Sequence, residues 1–120
     1  MVKFDISSLK YDDKGLIPAV VQDSSSLEVL MVAWINKISL EKTINTNLAT
    51  FWSRSRNSLW VKGLTSGNTQ KVDEVRIDCD RDCILLLVTP KGPACHTNRR
   101  TCFYTELVAD TEKIILNPEV

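Results

Sequence analysis

The sequence predicts a β-rich α+β fold, mainly β with one short helix near 39–47, in a single small domain spanning 1–120. Three observations lead there. Most apolar residues fall in short runs of strand length, separated by Gly, Pro, Ser, Asn and Asp clusters. One stretch alone repeats apolar residues at helical spacing, at Leu40, Ile44 and Leu48. The chain has 120 residues and 43% hydrophobic content, enough for one domain with a real core and without an internal repeat or linker.

The elements follow in order. Leu16–Asp23 reads as a strand, with Pro18 pointing to an edge position because proline offers no N–H to a ladder. Ser24–Ser26 reads as a turn, and the apolar run Leu27–Ile35 as the buried second strand of a hairpin. Ser39 is placed to cap a helix, with Glu41 in its first turn, and the helix ends near Asn45–Asn47. Ala49–Trp52 is β-prone, and Gln70–Ile77 alternates polar and apolar residues as a half-buried strand does. Cys83–Thr89 is an apolar strand, Pro90–Pro93 a turn and Cys102–Val108 a further strand, while the tail after Asp110 reads as peripheral.

Charge and composition exclude several function classes. Fifteen basic and fifteen acidic residues cancel, so no global field draws the chain to nucleic acid or to a membrane surface. The N-terminus lacks a signal-peptide pattern and no stretch reaches the ~20 apolar residues of a membrane span, so a cytoplasmic location is expected. In a reducing compartment four cysteines favour metal binding over two disulfides.

The chemistry concentrates in Asp78–Cys102, DCDRDCILLLVTPKGPACHTNRRTC. All four cysteines, the only histidine and three alternating aspartates lie there, in about a fifth of the chain. Thiolate and imidazole suit zinc, and carboxylate oxygens suit magnesium, so the segment offers two ligand sets. On an extended strand Asp78, Asp80 and Asp82 point one way and Cys79 the other. At ~3.3 Å per residue, Asp78 and Asp82 would then lie roughly 13 Å apart, so one ion binds all three only if the strand bends or ends here. Cys83 opens the apolar run and reads as a small core residue. A third thiol or imidazole beside Cys95 and Cys102 must come from Cys79, Cys83 or His96, and Cys79, among charges, suits a ligand better than Cys83. His96 reads as a ligand or a general base, against the plain alternative of a structural histidine.

A second unusual stretch runs from Ser53 to Asn68. Arg54, Arg56 and Lys62, interleaved with hydroxyls and with Gly63 and Gly67, suit a phosphate. Trp52 and Trp60 are placed to stack on a base. The plain alternative is a solvated charged strand with core tryptophans.

Together these residues resemble the phosphoribosyl-AMP cyclohydrolase family of histidine biosynthesis. The motifs are Phe51–Arg56, Leu59–Gly63, Thr65–Asn68, Asp78–Asp82, Gly92–Thr97 and Cys102-Phe103, in family order from about Met31 to Phe103. The resemblance implies hydrolytic opening of the adenine ring of phosphoribosyl-AMP between nitrogen 1 and carbon 6. It implies a cytoplasmic, intertwined homodimer that uses Zn2+ and Mg2+. Cys79 of one subunit, with Cys95 and Cys102 of its partner, would hold zinc, and Asp78, Asp80 and Asp82 would hold magnesium. Trp52, Ser53, Arg54, Arg56, Lys62, Thr65 and Ser66 would bind substrate, and His96 is the candidate base. The chain departs from the family pattern at Ile38 and Leu64, where glutamates are usual, at Asn98, where glycine is usual, and at Thr101, where serine is usual. The competing reading is a structural zinc module that binds a nucleotide or RNA through Trp52–Lys62. A thiol redox role lacks its C-x-x-C motif.

Overall fold

The computed structural model describes residues 1–119. Eight strands and one α-helix follow a short 3-10 turn at Ile6–Ser8: β1 (Ile17–Asp23), β2 (Val29–Ile35), α1 (Lys37–Thr46), β3 (Thr50–Ser53), β4 (Ser58–Val61), β5 (Gln70–Ile77), β6 (Ile84–Pro90), β7 (Thr105–Val108) and β8 (Thr111–Ile114). The expected β-rich α+β domain is the one observed.

The main sheet has the order β2-β1-β6-β5. β1 pairs antiparallel with β2 and parallel with β6, and β5 pairs antiparallel with β6. Both inner strands send alternate residues into the core, whereas β2, expected to be buried, is an edge strand with Val29 and Val32 exposed. Ile17, Ala19 and Val21 of β1 and Ile84, Leu86 and Val88 of β6 are buried and join Leu30, Ile35, Leu40 and Phe51 in one core. The edge position expected for Pro18 is therefore overturned: β1 is an inner strand. Pro18 pairs with Trp34 on β2, and the register with β6 begins one residue later, at Ala19.

Helix α1 begins earlier than Ser39. Asn36 is the cap: its side-chain oxygen accepts from the Ser39 backbone N–H at 2.8 Å, and the Ser39 hydroxyl accepts from the Asn36 N–H at 2.9 Å. This reciprocal pair fills the first turn, which carries no acidic residue, so Glu41 lies beyond it. Asn47 ends the helix in the left-handed region at φ 59°, a conformation asparagine tolerates. The buried face also differs from the four-residue stripe. Ser39, Leu40 and Thr43 are buried, while Ile44 is exposed. The Thr43 hydroxyl accepts from the Thr50 N–H at 3.0 Å and lies 3.1 Å from the Thr50 carbonyl, so a polar contact fixes α1 against β3.

β3 and β4 form a separate hairpin, and Phe51 packs tilted on Trp60 with ring centroids 5.4 Å apart. The hairpin is joined to the main sheet through backbone bonds from Lys62 N–H to the Ala49 carbonyl and from Ala49 N–H to the Gln70 carbonyl. The expected strand Cys102–Val108 begins only at Thr105, and the tail after Asp110 supplies β8, its hairpin partner.

Candidate active site

The four-residue connection Arg54–Asn57 carries two arginines at the tip of the β3–β4 hairpin. Asn57 takes φ 49°, and the Ser53 hydroxyl accepts from the Arg56 N–H at 3.3 Å. Arg54 and Arg56 are both exposed. The Arg54 guanidinium lies over the Trp34 ring, 4.6 Å from its centroid. That stacking orients the cation while leaving its N–H edge free for an anion.

Beside this tip runs an open groove of about 1410 Å³. It is lined by every residue expected to bind substrate: Trp52, Ser53, Arg54, Arg56, Lys62, Thr65 and Ser66. Cys95, His96 and Cys102 line it as well. The structure thus joins two stretches that lie more than twenty-five residues apart in the chain.

The thiols are set by local turns. The Cys95 N–H donates to the Arg99 carbonyl at 3.1 Å, and the Asn98 N–H donates to the Cys95 carbonyl at 3.0 Å. Asn98 sits at φ 64°, so the departure from glycine falls on a residue that accepts this conformation. Cys102 is held against the edge strand of the main sheet, its N–H donating to the Leu30 carbonyl at 2.8 Å. Thr101, adjacent, is buried and donates to the Val29 carbonyl at 2.7 Å, a bond that the serine usual in the family would also make.

The two thiols are neighbours of unequal acidity. Burial opposes ionisation of Cys95, but hydrogen bonds from the Thr97 hydroxyl (3.0 Å) and backbone and from Cys102, with the charge of Arg99, hold it below the usual thiol range. Cys102 is pushed up to about 11 by desolvation of its sulfur and by Cys95, against the pull of Lys62. Lys62 itself is buried, and desolvation lowers its pKa while Cys102 and Cys95 pull it back up. Its position separates it from Arg54 and Arg56: those two arginines meet solvent at the hairpin tip, whereas Lys62 sits beside the sulfurs.

The aspartates lie elsewhere. Strand β5 ends at Ile77 and the chain turns at once. The Arg81 N–H donates to the Asp78 carbonyl at 3.2 Å, and Arg81 takes φ 65°. The Asp78 carboxylate accepts from the N–H groups of Asp82 and Cys83 at 3.0 and 3.1 Å. This turn overturns the face alternation of an extended strand and meets the condition for one shared ion. Carboxylate oxygens of Asp78, Asp80 and Asp82 lie within 4.8 Å of one another, the only such group of three His, Cys, Asp or Glu among the described residues. Crowding shows in their protonation. Hydrogen bonding to Asp80 and Asp78, with their charges, raises Asp82 to about 6. Desolvation works against ionisation of Asp78, but hydrogen bonds from Asp80, Asp82 and the Cys83 and Asp82 backbone keep it below the ordinary value. The turn is anchored by Arg81, whose carbonyl accepts from the Lys10 N–H at 2.7 Å and whose guanidinium reaches the Ser8 hydroxyl at 2.5 Å.

Cys79 is exposed on this turn and does not line the groove that holds Cys95 and Cys102. Cys83 is half-buried, its thiol pushed up by burial and by Asp78 and Asp82. All four cysteines are free thiols.

Two residues outside the expected site set, Trp34 and Asn68, also line the groove. Trp34 belongs to the apolar run Leu27–Ile35, expected as a buried strand, yet it lines the groove and carries Arg54. Asn68 is seated between two glycines: a Cβ on Gly63 would strike its backbone, and one on Gly92 its side chain. Gly63 and Gly92 lie 29 residues apart in the chain, so only the fold brings both to Asn68. Of the departures from the family pattern, Leu64 lines the groove and Ile38 a smaller neighbouring cavity, both exposed, and nothing in the structure explains either change.

The groove joins a cationic hairpin tip, aromatic rings, two thiols and an imidazole on a small β-rich fold, an arrangement suited to an enzyme acting on an anionic, ring-bearing small molecule. Comparison with known proteins gives the particular family. Residues 31–104 match the family model for phosphoribosyl-AMP cyclohydrolase. The chain is 58% identical over 117 residues to the phosphoribosyl-AMP cyclohydrolase of Cereibacter sphaeroides, covering 98% of both chains. It is 56% identical over 116 residues to that of Paracoccus denitrificans, covering 97% of this chain and 96% of the other. The Jannaschia protein of the same name is 50% identical over 119 residues, covering 99% and 100%. The chain belongs to the phosphoribosyl-AMP cyclohydrolase family, and it is a hydrolase.

Proposed function

We propose that the protein hydrolyses phosphoribosyl-AMP, opening its adenine ring between nitrogen 1 and carbon 6 in histidine biosynthesis in the cytoplasm, with zinc and magnesium as cofactors. The observation that carries this reading is the single groove that brings the Arg54–Arg56 tip together with Cys95, His96 and Cys102.

The donor sets fit the two ions. Three clustered carboxylates suit a hard cation that keeps several waters, so Asp78, Asp80 and Asp82 would hold magnesium. Neighbouring thiols suit zinc, so Cys95 and Cys102 would hold it with Cys79. Cys79 lies outside the groove of its own chain, which favours a homodimer in which one subunit supplies Cys79 and its partner the other two. When bound, thiolate-held zinc supplies Lewis acidity that eases ionisation of a water.

The chain's own residues account for the rest. Arg54 and Arg56 bind phosphate at the hairpin tip, and Trp52 and Trp60 offer ring faces to the adenine. Ser53, Thr65 and Ser66 offer hydroxyls along the same wall. Lys62 offsets the negative charge of the thiolates beneath. His96 takes a proton from the attacking water, whose oxygen bonds to carbon 6. The carbon 6–nitrogen 1 bond breaks, and the proton passes to nitrogen 1.

The test is a turnover assay of purified protein loaded with both ions, following the absorbance change of ring opening. Absence of turnover with both metals bound would overturn the reading. A Cys79→Ser variant separates it from a structural zinc module: the enzyme loses turnover while remaining folded, whereas the module unfolds.

A further inference from the structure

Within one chain, strands β7 and β8 bury none of their residues, so packing on their own subunit does not hold this hairpin in place. Its base, however, grips one side chain. The Ile115 N–H donates to the Tyr104 carbonyl at 2.9 Å, closing the hairpin. Just there, the Arg99 guanidinium lies over the Tyr104 ring, 3.9 Å from its centroid, and its Nε donates to the Leu116 carbonyl at 2.7 Å. A guanidinium stacked on a ring and hydrogen-bonded at its edge has little freedom left.

The other end of Arg99 is part of the thiol turn. Its carbonyl accepts from the Cys95 N–H at 3.1 Å, and that turn presents His96 to the groove. The neighbouring residue is held by the same segment: the Glu119 N–H donates to the Asn98 carbonyl at 2.7 Å, and the Asn98 amide donates back to the Glu119 carbonyl. Asn98 also lines the groove.

We infer that Arg99 is a positioning residue, clamped by Tyr104 and Leu116 so that the Cys95–Asn98 turn holds Cys95 and His96 at one setting. The inference rests on the proposed function for its kinetic consequence, but the clamp itself has a readout independent of turnover. It gives the base of the β7–β8 hairpin a role toward the thiol turn of its own chain.

The experiment compares Arg99→Ala, Tyr104→Leu and Tyr104→Phe in the metal-loaded protein. Arg99→Ala is expected to lower kcat about tenfold with KM changed less than about threefold, since a misplaced group acts on the transition state more than on binding. Tyr104→Leu is expected to share part of that loss, and Tyr104→Phe, which keeps the ring, to restore it. Amide exchange in the peptide spanning 95–99 is expected to quicken in Arg99→Ala and Tyr104→Leu, while β1 and β6 amides keep the wild-type rate. A purely structural role would slow no turnover per folded molecule. Wild-type kcat and exchange in both disruptive variants overturn the clamp, as does equal damage from Tyr104→Phe and Tyr104→Leu. If Arg99→Ala fails to fold, the Tyr104 pair decides. If the wild-type protein turns over no substrate, the proposed function falls and exchange alone decides the clamp.

Discussion

The Thr101 hydroxyl donates to the Val29 carbonyl at 2.7 Å, tying the loop that carries Cys102 to the edge strand of the main sheet. Thr101 is buried, only 4% exposed, and the bond is partly so. The same oxygen accepts from the Phe103 N–H at 3.0 Å, so one hydroxyl sets the backbone on both sides of Cys102. Replacing Thr101 by valine keeps the shape and strands these partners, at a cost of about 1–3 kcal/mol. Denaturant unfolding should show that loss, while Thr101→Ser should stay close to wild type. Equal stability of all three proteins would show the bond to be dispensable.

Asp82 ties metal affinity to pH. Its carboxyl is raised to about 6 by hydrogen bonding to Asp80 and Asp78 and by their charges, so a divalent cation arriving at lower pH must displace a proton. Magnesium affinity is expected to rise with pH through about 6 and then level off. Calorimetry in buffers of different ionisation enthalpy should find proton release below that point and little above it. For metal-free stability the sign is opposite: the folded state holds this proton more tightly than the unfolded chain, so the contribution of Asp82 is present below 3.8 and is lost as pH climbs through about 6. A flat magnesium affinity from pH 5 to 8 would sink the shared-ion assignment.

Arg54 should matter to binding more than to chemistry. It is exposed, oriented by Trp34 and remote in sequence from the thiols. Arg54→Ala is expected to raise KM about tenfold, the loss of ~1.4 kcal/mol that a charge-assisted contact supplies, with kcat nearly kept. Trp34→Leu should produce a smaller rise of the same kind. A fall in kcat at unchanged KM would place Arg54 at the reacting centre instead.

Two glycines at positive φ separate close approach from conformation. Gly63 at φ 79° has the Asn68 carbonyl and the Thr69 nitrogen where a Cβ would stand, whereas Gly67 at φ 84° has open space. Gly67→Ala should cost about 1 kcal/mol through backbone strain alone. Gly63→Ala should cost several times more and distort the groove wall, because backbone must move. Thermal midpoints of the two variants, compared side by side, check the order.

Cys83 is expected to be dispensable for metal. It faces the start of β6, and burial pushes its thiol away from the ionised form a ligand needs. Cys83→Ala should retain wild-type zinc content by elemental analysis, whereas Cys95→Ser and Cys102→Ser should lose most of it.

Much of this molecule was legible in the chain. The apolar runs around Val21 and Leu86 are strands because a β-rich core needs continuous apolar segments on its inner strands, and local composition carries that information. The chemical types at the site were equally plain, since carboxylates, thiols and arginines keep their ligand preferences wherever they fold. Tertiary structure alone decided how they were sorted. Pro18 stands on an inner strand because pairing with β6 starts only at Ala19, a matter of register between distant segments. The three aspartates meet because β5 stops at Ile77 and the backbone turns at Arg81, a dihedral choice stabilised by bonds to Ser8 and Lys10 far away in sequence. Lys62 left the arginines for the thiols because the β3–β4 hairpin places its tip in solvent and its end under the groove. Residue identity determined which chemistry was available, and long-range packing determined which residues share a site.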